Sequence, residues 1–181
     1  MTVIGIVGLP GSGKSEAAAV AREEGIPVVT MGDVIRAACR ERGLDPATHH
    51  GEVATALREE HGPGAIAERS LPMIEADLDD AGPVVVEGIR SDIEVERFRD
   101  AFGEAFTLVS IEAPFGVREE RVDARGRDDT AEESLRERDE RELGFGMGEA
   151  MDRADRTVEN TDSLASFHAE IRELLAATDR R

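Results

Sequence analysis

Gly8-Leu9-Pro10-Gly11-Ser12-Gly13-Lys14-Ser15 decides how the rest of the chain is read. It matches the pattern G-x-x-x-x-G-K-[ST], in which glycines let successive main-chain N–H groups turn inward around an anion at the start of a helix. The flanks are those the pattern requires. Upstream, Thr2-Val3-Ile4-Gly5-Ile6-Val7 reads as a buried strand. Downstream, Glu16-Ala17-Ala18-Ala19-Val20-Ala21-Arg22 is strongly helix-forming, with Gly25 as its C-terminal stop. Gly8, Pro10, Gly11, Ser12, Gly13, Lys14 and Ser15 are therefore expected to cradle a triphosphate. Lys14 would reach the β- and γ-phosphates, and the Ser15 hydroxyl would hold Mg²⁺. The cofactors expected are ATP and Mg²⁺.

Composition sharpens that reading. The chain has 22 basic residues, and Lys14 is its one lysine, the rest being arginine. A lysine kept at that position alone speaks for a compact ammonium where a forked guanidinium would not serve. Forty acids give a formal charge of −18, which repels a phosphate backbone and argues against nucleic acid as a partner. An acid-rich, lysine-poor surface is that of a halophilic protein, in which molar internal salt screens the self-repulsion. No apolar run approaches the ~18 residues that span a bilayer, and Met1-Thr2-Val3-Ile4-Gly5 has no basic patch of a secretory signal. A cytoplasmic protein without membrane partners is expected, and the lone Cys39 is expected to be a small buried hydrophobe.

At 181 residues the length fits one domain. Four further apolar runs follow the first strand: Pro27-Val28-Val29-Thr30, Pro83-Val84-Val85-Val86-Glu87, Phe106-Thr107-Leu108-Val109-Ser110-Ile111 and Arg156-Thr157-Val158-Glu159-Asn160. They alternate with helical stretches, which predicts an α/β, three-layer fold with a five-stranded parallel sheet and helices on both faces. Between strands two and three, helices are expected at 33–42, 51–60 and 64–80, the last kinked at Pro72, forming an insertion that hinges at Gly43 and at Gly62-Pro63-Gly64. The final helix begins at a Ser163 cap and packs through Leu164, Phe167, Ile171 and Leu174-Leu175. His49, His50, His61 and His168 lack the spacing of a metal set and read as solvated.

Outside the loop, two places carry phosphate chemistry. Asp33 is placed to cap a helix, and Arg36, one turn on, offers a bidentate grip on an anion. Between residues 114 and 145 lie seven arginines among eleven acids. Arg118, Arg121 and Arg125 recur at helical spacing, and Ala131–Leu143 has too few apolar residues for a buried helix, so this segment reads as a lid able to close and exclude water.

Several of these stretches resemble P-loop small-molecule kinases. Gly25 to Arg36 is similar to the segment of adenylate kinases that opens the monophosphate subdomain, which implies that Arg36 holds the acceptor phosphate. Glu87-Gly88-Ile89-Arg90-Ser91 resembles the Asp-Gly-x-Pro-Arg corner of nucleoside monophosphate kinases, with Glu for Asp and no proline. That resemblance implies that Arg90 faces the acceptor and that Glu87 stands near the metal. Arg121-Val122-Asp123-Ala124-Arg125-Gly126-Arg127-Asp128-Asp129, with Arg136 and Arg138, resembles a short adenylate-kinase lid, which implies that Arg125, Arg127 and Arg138 neutralise the transferring phosphoryl group. Ala154-Asp155-Arg156-Thr157-Val158-Glu159-Asn160 resembles the tail of dephospho-coenzyme A kinases beside the adenine pocket. Taken together the chain is similar to an archaeal family of kinase-like proteins. The implied layout is a single P-loop kinase domain over 1–181, with 31–80 as the acceptor-binding helical insertion and 114–145 as the lid.

The acceptor stays open at this point. A nucleoside monophosphate offers an oxygen already largely ionised near neutral pH and needs arginines. The 3′-hydroxyl of dephospho-coenzyme A must lose a proton, which Asp33 would accept. The Gly32-Asp33 match and the Arg-Asp-Asp lid favour the first. A nucleotide-dependent switch or ATPase is a third reading, and no residue announces itself as the water-positioning group it would need. The expected partners are a nucleotide and a small-molecule acceptor, with the chain a monomer or homodimer.

Overall fold

A computed structural model describes residues 2–126 and 134–178. Five strands, β1 (Val3–Val7), β2 (Val28–Thr30), β3 (Val84–Glu87), β4 (Phe106–Glu112) and β5 (Arg156–Glu159), form one sheet in the order β2-β3-β1-β4-β5. Every pairing is parallel. All five residues of the central β1 are buried, as a strand covered on both faces must be. Side chains alternate between two cores. Ile4 and Ile6 pack with α1 (Lys14–Glu23) and α9 (Leu164–Thr178) through Ala17, Val20, Phe167 and Ile171. Val3 and Val7 belong to the larger core on the opposite face.

That second face is covered by α2 (Met31–Glu41), α3 (Pro46–His61), α4 (Ala65–Ala81), α5 (Asp92–Phe102) and the short α8 (Met147–Asp152). The insertion thus contains the three helices expected, with different bounds. α3 starts five residues earlier than predicted because Asp45 caps it, accepting the Ala47 N–H at 3.0 Å, with Pro46 in the first turn. His49 and His50 therefore ride on this helix, ahead of the 51–60 span expected for it. α4 remains one helix through Pro72. At the C-terminal end Ser163 accepts the Ser166 N–H as expected, whereas Leu164, expected in the packing, is 56% exposed. Cys39 is buried and unpaired.

The lid candidate contains two helices, α6 (Phe115–Gly126) and α7 (Leu135–Gly144). Arg127 and the side chain of Arg125 lie outside the described residues. Among the described residues no helix is long and apolar enough to cross a membrane.

Candidate phosphate-transfer site

The loop after β1 is shaped by its glycines. Gly8, Gly11 and Gly13 have φ of +150°, +78° and +116°. Space is as restrictive as conformation there. A Cβ on Gly8 would lie 2.4 Å from the Ile111 carbonyl oxygen, and one on Gly13 2.4 Å from Asn160 Nδ2. The chain then enters α1 at Lys14, so the loop amides and the helix N-terminus share one concavity.

Three side chains fasten this loop from outside. Asn160 Nδ2 donates to the Ser12 carbonyl at 2.8 Å, and Arg121 Nη2 donates to Asn160 O at 2.8 Å and Oδ1 at 3.2 Å. Arg118, 4% exposed, donates to the carbonyls of Pro10 and Ala113, each at 3.0 Å, and forks onto both carboxylate oxygens of Asp139 at 2.8 Å. Asp139 lies on α7, so one guanidinium ties the glycine loop to both helices of the lid candidate. Arg118 and Arg121 do share a face of α6, as their spacing predicts. That face meets main-chain carbonyls and Asn160, not open solvent.

Lys14 Nζ donates to the carbonyls of Gly8 at 2.6 Å and Leu9 at 3.1 Å, which curls it over the loop. Burial lowers its pKa from 10.5 to about 8, while Glu142 and Glu87 pull it back up and Arg90 and Arg118 oppose them. Ser15 Oγ donates to Glu87 Oε1 at 3.3 Å, across from the end of β3. A hydroxyl and a carboxylate side by side form the oxygen set that suits Mg²⁺, a hard cation that keeps several waters and takes few protein ligands. Lys14, Ser15 and Glu87 are thus gathered at the C-terminal ends of adjacent parallel strands, where open α/β sheets bind ligands.

The residues read as acceptor contacts are arranged differently. Asp33 is not a cap. The residue preceding α2 is Thr30, with no side-chain capping bond, and Asp33 falls within the first turn of the helix. Its Oδ1 accepts from Arg36 Nε at 2.9 Å and Nη2 at 2.6 Å, so the two residues engage each other. Helix α2 begins at Met31, two residues sooner than expected, because β2 runs into it without a loop. Arg90 Nη1 lies 3.3 Å from Glu142 Oε1 on α7. Arg138 sits half-buried on α7.

Sequence reasoning passed over four residues here: Arg58, Glu94, Glu142 and Phe145. Glu94 is buried, and its Oε2 accepts the Arg90 N–H at 2.8 Å while Oε1 lies 3.6 Å from Arg58 Nη2. Burial raises its pKa, partly offset by the Arg90 amide and the two arginines. Ser91-x-x-Glu94 is a capping-box signature that would have flagged it; Ser91 Oγ accepts the Glu94 N–H at 3.3 Å. No short-range pattern marks the other three. His168 departs from the solvated reading too, with Nε2 3.3 Å from Glu16 Oε2.

An all-parallel sheet of this order, a glycine loop opening α1 and a helical insertion after β2 define the P-loop kinase fold. Solved structures agree: TT1252 from Thermus thermophilus superposes with a TM-score of 0.66 at 23% identity over 97% of both chains. Shikimate kinase from Acinetobacter baumannii, in complex with shikimate, gives 0.58 at 17% identity over 98% of this chain and 94% of that one. A family profile described as "AAA domain" matches residues 7–136. The particular family follows from closer relatives. A UPF0200 protein of Halobacterium salinarum is 62% identical over 178 residues, covering 98% of this chain and 94% of its own. The chain belongs to the UPF0200 family, the archaeal kinase-like group its motifs resemble.

Proposed function

We propose that the chain is an ATP-dependent phosphotransferase that moves the γ-phosphate to a small molecule resembling a nucleoside monophosphate. The observation that carries this reading is the gathering of Lys14, Ser15 and Glu87 at a clamped glycine loop, with Arg90 three residues beyond Glu87 at the corner after β3. In this reading donor and acceptor machinery adjoin. The fold of small-molecule kinases supports the same class.

Loop amides and Lys14 would bind the donor phosphates, the lysine exchanging its bonds to Gly8 and Leu9 for phosphate oxygens. Ser15 and Glu87 would hold Mg²⁺, which when bound would supply charge neutralisation to the donor phosphates. Arg90 and Arg36 would take the acceptor's anionic group, giving up Glu142 and Asp33 respectively. Lid arginines Arg125, Arg127 and Arg138 would meet the charge that collects during transfer. A nucleoside monophosphate needs no base, and none is assigned for it.

A hydroxyl acceptor, as in dephospho-coenzyme A kinase, is the second reading. It is favoured by one feature: both bonds from Arg36 fall on Oδ1 of Asp33, leaving Oδ2 to take a proton.

Incubation with Mg-ATP and a panel of nucleoside monophosphates, dephospho-coenzyme A and shikimate, followed by product analysis, tests the proposal. A phosphorylated acceptor is expected, with turnover reduced roughly 10³-fold in Lys14→Ala. Phosphate release with every acceptor left unmodified overturns it in favour of an ATPase or switch.

A further inference from the structure

Glu94 and the Gly144-Phe145-Gly146 stretch take no part in the phosphate loop, yet they meet at one place. The Glu94 side chain is 2% exposed and spends one oxygen on the Arg90 amide and the other on Arg58. Arg58 comes from α3 and Arg90 from the corner after β3. The ring of Phe145 lies 5.7 Å from the Arg58 guanidinium carbon and 5.9 Å from that of Arg90. One buried carboxylate, paired with the Arg58 guanidinium and bonded to the Arg90 main chain, and one aromatic ring beside both guanidinium groups thus link two residues that the chain separates by 32 positions.

Neutralising Glu94 does not exhaust Arg58. Its ion pair is long, 3.6 Å at Nη2, the guanidinium carries five N–H donors, and the side chain remains 26% exposed. Arg90 shows what these forks accept, since the Glu142 carboxylate rests against it at 3.3 Å. Two guanidinium groups, each within 6 Å of the centre of one ring, offer the planar forks that recognise an oxyanion bidentately.

We propose that Arg58 is a second acceptor cation, acting with Arg90 on one oxyanion group of the acceptor, a phosphate monoester or a carboxylate, and that Glu94 is the positioning residue for both. Calling the occupant an acceptor rests on the phosphotransferase reading; the oxyanion site itself does not. A purely structural Arg58 would change stability when replaced and leave oxyanion affinity alone.

Calorimetric titration of the full chain with AMP, shikimate and inorganic phosphate, and separately with Mg-ATP, tests this. The wild type is expected to bind at least one oxyanion probe, and AMP against shikimate distinguishes phosphate from carboxylate. Arg58→Gln should weaken that probe about tenfold or more, with Mg-ATP affinity within about twofold of wild type. Arg58→Lys should restore part of the loss, because the charge returns without the fork. Glu94→Gln should weaken the same probe; where it unfolds, Arg58→Gln still decides. Unchanged probe affinity in Arg58→Gln, an equal loss of Mg-ATP, or a wild type that binds none of the three probes overturns the inference. A wild type that binds inorganic phosphate through Arg58 but not Mg-ATP sinks the phosphotransferase reading and leaves the oxyanion site standing.

Discussion

The glycine loop and the proposed acceptor face hold their charges by opposite means. The loop uses main chain: positive-φ glycines, carbonyls that take Lys14, and outside clamps from Arg118 and Asn160. The acceptor face uses side chains that pair with one another, Arg36 with Asp33, Arg90 with Glu142 and Arg58 with Glu94. A main-chain site tolerates almost no change and is rigid before its ligand arrives. A face of paired charges is adjustable, because a bound anion can take the place of the exposed Asp33 or of Glu142 while the buried Glu94 stays behind Arg58.

The hardest blow to the loop is Gly8→Ala. Its Cβ meets the Ile111 carbonyl, which belongs to the buried end of β4 and has nowhere to move, and φ of +150° is strained for alanine besides. Strain and overpacking together should cost roughly 4 kcal/mol, read as a fall in the midpoint of denaturant unfolding, with Mg-nucleotide binding lost. A protein of wild-type stability would break the contrast at its root.

Next comes Arg118→Met, which keeps the length of the stem and removes the fork. Asp139, the Pro10 carbonyl and the Ala113 carbonyl all lose their donor in a place that is 4% exposed at the arginine. The expected loss is about 3 kcal/mol. Protease cleavage within α7 should accelerate as well, because Arg118 joins that helix to the loop. Unchanged cleavage would show that α7 is held by other contacts.

This difference in means also explains what could be read from residues alone. All five strands, their parallel pairing, the loop and the lysine were legible, since each depends on short-range pattern and on glycine sterics. The start of α3 was not, because Asp45-Pro46 reads as a turn unless it is taken as a cap and first helical residue. Asp33 was misread as a cap for a related reason: β2 passes straight into α2 and leaves no room for a capping loop. The spacing of Arg118 and Arg121 gave their shared face correctly, while their targets, Pro10 and Asn160, lie 108 and 39 positions away. Arg58, Glu94 and Glu142 form pairs of the same long-range kind, which no periodicity encodes.

Lys14 offers a gentler probe of the loop. Its folded pKa of about 8 lies below the unfolded 10.5, so the folded state binds fewer protons between those values. Stability contributed by this group therefore rises as pH climbs from 8 to 10.5, and below 8 its buried charge is a cost. Nucleotide binding runs the other way, because the phosphates require the ammonium. Mg-ATP affinity should be flat below pH 8 and fall by up to about tenfold per unit above it, with proton uptake on binding at pH 8.5. Calorimetry in buffers of different ionisation enthalpy reads that proton directly. No uptake would mean that Lys14 does not touch the phosphates.

The smallest effect on the fold is expected where the acceptor face is most open, and it is the sharpest test of the contrast. Arg36 and Asp33 have side chains 40% and 52% exposed, so water already solvates both charges and their pair contributes at most about 0.5 kcal/mol. Arg36→Gln should leave the unfolding midpoint nearly where it was. If Arg36 takes the acceptor's anion, the same variant loses about tenfold or more in acceptor affinity while Mg-ATP affinity is unchanged. That is the inverse of Gly8→Ala, where fold and nucleotide binding fall together. A variant that keeps acceptor affinity would leave the Asp33–Arg36 pair as surface charge and confine the acceptor's anion to Arg90 and Arg58, whose carboxylate partners are 9% and 2% exposed.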